Sequence, residues 1–181
     1  MLGNADVARE TDMEGSSMAV IARRALTIAL LVWGLYDLSH PGRFTLLDGV
    51  DLAVHETGHL VFGPLGEFIG FAGGTIMQLL MPAVFAVSFW RRGDQHAACV
   101  ALWWVAQSCG NVATYVADAR AQDLPLVGGG EHDWTYRLGV TGMLTHDVQI
   151  ARLIRIFAVL LMIGASAWGI LRAGTLAARD G

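Results

Sequence analysis

Charge is scarce in this chain. Of its 181 residues only 15% are Asp, Glu, Lys or Arg, and the formal net charge is -4. No basic patch interleaved with aromatics is present, so nucleic acid is excluded as a partner class. Cysteine is nearly missing too. Cys99 and Cys109 stand in one apolar run, and a ten-residue separation on a helix places them roughly 15 Å apart, beyond the reach of a disulfide. With no C-x-x-C and no Cys-rich zinc pattern, any metal must take His and carboxylate ligands. No long polar region exists to build a second domain, so a single domain is expected.

What fills the chain instead is apolar. Hydrophobic residues make up 54% of it, the mean hydropathy is +0.49 and glycine numbers 22, as expected where helices pack closely in lipid. The fold class read from this is an all-α, polytopic membrane helix bundle of about four to five segments, with the lipid bilayer as its surroundings.

Residues 1 to 18 carry acids and polar residues without apolar periodicity and read as a disordered N-terminal tail, leaving 19–181 as the transmembrane helical domain. Ala19 to Leu38, in which Arg23 and Arg24 precede the apolar Ala25 to Tyr36, reads as a first transmembrane helix rather than a signal peptide, broken at His40-Pro41-Gly42. Leu46 to Leu65 is a second segment, closed by Pro64. Phe68 to Trp90 is apolar but interrupted by Gly73-Gly74 and Pro82. It reads as a bent or re-entrant piece followed by a helix, since irregular backbone at membrane depth must line protein or a cavity. Such a piece would also explain why Arg23-Arg24, Arg91-Arg92 and Arg152-Arg155 do not fit one sidedness if every segment crosses. Ala97 to Ala117 is the next span, with Gln107, Asn111, Thr114 and Asp118 on one helical face that should look into the bundle. A loop from Gln122 to Trp134 holds Gly128-Gly129-Gly130, and Ile150 to Leu171 is a last transmembrane helix. His40, His96 and His146 fall at segment ends, where they should face water or headgroups.

The second segment contains Val54-His55-Glu56-Thr57-Gly58-His59, an H-E-x-x-H pattern. Four residues apart on a helix, His55 and His59 share a face and can offer imidazole nitrogen to one Zn²⁺, with Glu56 beside them to take a proton from water. An ionisable residue in an apolar segment is a functional candidate in its own right.

Taken together, His55-Glu56-Thr57-Gly58-His59, then Gly74-Thr75-Ile76-Met77-Gln78, then Asn111 with Asp118, resemble the site-2 protease group of intramembrane zinc metalloproteases. Small bacterial membrane proteins with an H-E-x-x-H, a Gly-Gly-x-x-x-Gln and a His-Asp-Trp are similar as well. The resemblance covers about Asp51 to Asp118. It implies that His55 and His59 are zinc ligands, Glu56 the general base and Asp118 the third ligand, in a bacterial inner membrane protein acting on a membrane protein or peptide. Val116-Ala117-Asp118-Ala119 stands where the family has Leu-Asp-Gly, and no proline follows Asn111. Leu47-Asp48-Gly49 precedes the histidines and reads as chance.

A catalytic zinc site wants three protein ligands and an open position. Asp118 fits as the third, at the end of a polar helical face, or is a helix-end acid paired with Arg120. His132 is the alternative ligand, brought back over the site by the three glycines, or is an interfacial loop residue. Asp133 either orients a ligating imidazole or caps the helix that follows. Gln78 and Asn111 either contact substrate or pack on each other. The function expected is a zinc-dependent intramembrane or juxtamembrane peptidase. The alternative is a non-catalytic membrane protein that binds or transports metal.

Overall fold

The computed structural model describes residues 3–125 and 131–174. Among them there is no strand. The order is α1 (Gly3–Ser39), α2 (Leu46–Phe62), α3 (Glu67–Arg91), α4 (Gln95–Ala117), α5 (Asp133–Val140) and α6 (Asp147–Arg172), with 3-10 turns at Gly63–Leu65 and Leu144–His146. Three helical stretches are long and apolar enough to cross a membrane: Ser17–Ser39, Glu67–Arg91 and Leu144–Arg172, with mean hydropathies of 1.7, 1.6 and 2.0.

Helix α4 is the centre. Its run of small residues, including Ala98, Ala101, Ala106, Ser108, Cys109, Gly110 and Ala113, is buried, and small side chains let neighbouring helix backbones approach closely. It packs most extensively on α6, then on α3 and α1, while α2 leans mainly on α3. The core on one side joins Leu38, Trp103, Ala106, Ala158 and Met162. A second cluster of Val112, Val116, Trp134, Leu138 and Ala151 holds α5 against the far end of α4 and the start of α6. Large apolar side chains point outward from α1, α3 and α6, such as Val32, Val84 and Leu160.

Several expectations are revised. The stretch read as a tail falls within α1, which begins at Gly3, while its apolar part begins at Ser17. No re-entrant piece occurs among the described residues, because α3 runs unbroken through Gly73, Gly74 and Pro82. The paired glycines serve close approach instead. A Cβ on Gly58 of α2 would collide with the Gly73 carbonyl and lie 2.8 Å from Met77 Cβ, and one on Gly73 would lie 2.7 Å from Phe62 Cβ. The short member is α2, whose 17 residues span only about 25 Å. His40 and His146 are exposed as expected, but His96 is buried, its Nε2 lying 3.0 Å from Thr27 Oγ1 and 3.1 Å from the Arg23 carbonyl oxygen. It ties α4 to α1.

Candidate metal centre

The first turn of α2 is fixed by a reciprocal cap. Thr45 Oγ1 accepts the Asp48 backbone N–H at 3.3 Å and Asp48 Oδ2 accepts that of Thr45 at 2.6 Å, so two donors with no partner in the helix are satisfied. The other oxygen of Asp48 accepts from Gln107 and from Asn111, each at 2.9 Å. One turn on, Asp51 Oδ1 accepts from Trp104 Nε1 at 2.8 Å and Ser108 Oγ at 3.3 Å. The polar stripe of α4 looks into the bundle at Gln107 and Asn111, and what these meet is the buried Asp48; Trp104 and Ser108 beside them meet the buried Asp51. Asp48, Asp51, His55 and His59 are spaced three, four and four residues apart, one face of one helix. That spacing was the available signal for the two acids, which sequence reasoning passed over.

Further along this face the histidines converge. His55 Nε2 lies 2.9 Å from Asp133 Oδ2 and His59 Nε2 lies 3.1 Å from the same oxygen. Both rings are anchored from behind by α3. His55 Nδ1 is 3.2 Å from Gln78 Oε1, and His59 Nδ1 is 2.8 Å from the Gly70 carbonyl oxygen. Those two oxygens can only accept, so each Nδ1 carries a proton, and each Nε2 donates to Asp133 when its ring is protonated or offers a lone pair when the ring is neutral. The His55 ring fits because Gly74 has no side chain: a Cβ there would lie 2.5 Å from His55 Cδ2 and 2.6 Å from Cε1.

Asp133 reaches this point on α5. The N-cap of that helix is His132, whose Nδ1 accepts the Thr135 backbone N–H at 3.3 Å. Thr135 Oγ1 donates to the Ala119 carbonyl, Trp134 is buried against α4, and Tyr136 stacks on Phe71 of α3 with centroids 4.1 Å apart. Burial pushes the Asp133 carboxyl up, but hydrogen bonds from His55 and His59 and their charge outweigh it, and the net displacement is below the ordinary carboxylate range. Desolvation moves the His132 imidazole down, in keeping with a neutral ring used as a cap.

The residues expected around the motif therefore divide. His55, His59 and Asp133 come together, with ligand atoms all within 4.8 Å of one another. Asp118, expected as the third ligand, does not join them. It caps the end of α4, where its carboxylate accepts the backbone N–H groups of Asp123 at 2.9 Å and Leu124 at 3.1 Å. Arg120 pairs with Asp147 at 2.8 Å rather than with Asp118. His132, the alternative ligand, is fully enclosed and faces Asp118, with Nε2 and Oδ2 3.4 Å apart. Asp133, and not Asp118, is the carboxylate that lies with the two histidines, and Gln78 and the Gly70 carbonyl hold the rings from behind. Asn111 donates to Asp48 and Gln78 meets His55, with no hydrogen bond joining the two among the described residues. The Gly128-Gly129-Gly130 hinge lies outside the described residues.

Two imidazole nitrogens and a carboxylate oxygen are a donor set suited to zinc. With both rings neutral these are three acceptors facing one another, an arrangement that a cation relieves as well as the ring protons do. The two His–Asp separations of 2.9 and 3.1 Å are within a few tenths of an ångström of the edge, about 3.3 Å, of a tetrahedron built on metal–ligand bonds of about 2.0 Å, and all the ligand atoms lie within 4.8 Å of one another. The group opens on a cleft of about 910 Å³, whose walls include Leu38, Phe44, Glu56, Phe71 and Tyr115. Glu56 follows His55 in the chain and is only half-buried. No protein-family model, curated protein or solved structure matches the chain.

Proposed function

We propose that the chain is a membrane-embedded, zinc-dependent peptidase that hydrolyses a peptide bond in an intramembrane or juxtamembrane segment of a protein or peptide substrate. The observation that carries this reading is the convergence of His55 Nε2, His59 Nε2 and Asp133 Oδ2 beside Glu56, with both Nδ1 protons already donated elsewhere. His55, His59 and Asp133 hold the ion. A zinc ion held there supplies Lewis acidity, which makes water a nucleophile near neutral pH and polarises the carbonyl under attack. Gln78 and Gly70 fix the ring orientations, and Glu56 accepts the proton of the attacking water and returns it to the departing amine. Leu38, Phe44 and Phe71 keep the cleft apolar around the reacting groups. The three spanning stretches favour a membrane location, and the resemblance to small bacterial membrane proteins favours the inner membrane.

A second reading, a zinc-binding or zinc-transporting protein without catalysis, draws support from Asp48 and Asp51, which extend the row of buried ligand-type residues along α2. One set of measurements separates the two. Detergent-purified protein should hold about one zinc per chain, and Glu56→Gln should keep the metal while losing cleavage of a quenched-fluorescent peptide library. Cleavage that survives in Glu56→Gln overturns the mechanism. Absence of cleavage together with zinc uptake into proteoliposomes assigns the second reading.

A further inference from the structure

Peptide hydrolysis needs more than a nucleophile and a base, because negative charge builds on the carbonyl oxygen as water adds. Near the centre, Asn111 Nδ2 already donates to Asp48, and Gln78 turns its carbonyl oxygen, which cannot donate, toward His55. The Thr114 hydroxyl donates to the Gly110 carbonyl at 3.2 Å. Tyr115 differs from all three. It lines the same cleft, one turn of α4 beyond Asn111, and its ring is held on two sides. The edge contact with His55 has centroids 5.8 Å apart at 73°, and the tilted contact with His132 has them 4.2 Å apart. A phenol O–H is a donor, and the open side of Tyr115 is the cleft it lines.

We propose that Tyr115 is a catalytic residue whose phenol O–H donates a hydrogen bond to the carbonyl oxygen of the peptide bond under attack. The proposal rests on the peptidase reading. Water oxygen bonds to the carbonyl carbon, the π pair moves onto the carbonyl oxygen, and the water proton goes to Glu56. Tyr115 keeps its own proton, since a phenol with an ordinary pKa near 10 gives it up to neither group, and its hydrogen bond strengthens as the charge grows. Collapse of the adduct breaks the C–N bond, with the proton from Glu56 going to the amine. A rigid ring on α4 donating into a site built on α2 and α5 is in place before substrate binds, the condition under which such a donor is most effective.

Tyr115→Phe, which keeps the ring and its packing, tests this in the full-length protein in detergent. With the quenched-fluorescent peptide library as substrate, kcat should fall about 100-fold with KM changed less than about threefold, as for loss of one oxyanion donor. Zinc content should stay at the wild-type level. A phosphinic peptide, which carries the tetrahedral oxygens of the adduct, should bind Tyr115→Phe about 100-fold more weakly, an effect independent of turnover. A kcat within threefold of wild type, or loss of zinc from the variant, overturns the assignment: the first leaves the phenol idle and the second makes it a support for His55. If wild-type protein cuts nothing in the library, or Glu56→Gln remains active, the peptidase reading itself fails.

Discussion

Gly74 is where a single methyl group should decide whether the centre binds metal. The Cβ of Gly74→Ala would lie 2.5 Å from His55 Cδ2 and 2.6 Å from Cε1, whereas carbon atoms settle at about 3.5–4.0 Å. The ring must therefore retreat by about 1 Å, or α2 and α3 must part by as much. Parting would open the close packing at the neighbouring turn, where α2 and α3 approach so nearly that a Cβ on Gly58 would collide with the Gly73 carbonyl, so the ring is the easier part to displace. The ring moves, its hydrogen bond to Gln78 breaks, and Nε2 leaves a position that metal ligation tolerates to about 0.2 Å. We expect zinc affinity, titrated against a competing chelator in detergent, to fall by at least the 10- to 100-fold typical of disturbed ligand support. Overpacking of this kind also costs about 1–3 kcal/mol, or roughly 2–4 °C of thermal midpoint per kcal/mol in a protein of this size. Gly139→Ala is the control, since a Cβ there meets nothing within 4 Å. Zinc affinity in Gly74→Ala equal to that of wild type would refute the placement of His55 against α3.

Exchanging the two competing carboxylates should separate them cleanly: Asp133→Ala loses zinc by metal analysis, whereas Asp118→Ala retains it and is destabilised through loss of the Asp123 and Leu124 backbone bonds. Gln78→Ala removes the acceptor of the His55 Nδ1–H, and a 10- to 100-fold loss of zinc affinity with the fold intact by circular dichroism is expected. Acid should unfold the metal-free protein partly through Asp133. Its carboxyl is held below the ordinary value in the folded state, so the stability it adds is fully present above about pH 4 and disappears as pH falls through the depressed value. The thermal midpoints of wild type and Asp133→Asn should therefore converge below about pH 4; a gap that widens there contradicts the pairing. Asp48→Ala strips the acceptor from Gln107 and Asn111 and one half of the α2 cap, and a loss of at least about 2 kcal/mol is expected from buried donors left without partners, read as a lower thermal midpoint.

Local pattern carried the sequence reading a long way. The apolar runs that became α1, α2, α3, α4 and α6 were visible because each is long and bounded by Gly, Pro or Arg, and helix existence depends mostly on contacts within a few residues. The pairing of His55 with His59 was legible for the same reason, since four residues on a helix is a fixed geometry. So was the inward face of Gln107, Asn111 and Thr114 on α4.

The parts that failed were those in which one residue type has two uses and only its neighbours choose between them. Gly73-Gly74 suited a break in the backbone as well as a close helix crossing, and the crossing was settled by Gly58 on another helix. The third member of the centre depended on a still longer connection. Asp133 is 78 residues from His55 in the chain, and it arrives because Trp134, Thr135 and Tyr136 dock α5 onto α4 and α3. No periodicity joins those positions. Composition and spacing determined a helical, apolar protein with two histidines poised on one face. Which carboxylate completes them was decided by tertiary packing, because a ligand set is a meeting of side chains in space and a sequence fixes only those meetings that one helix can make.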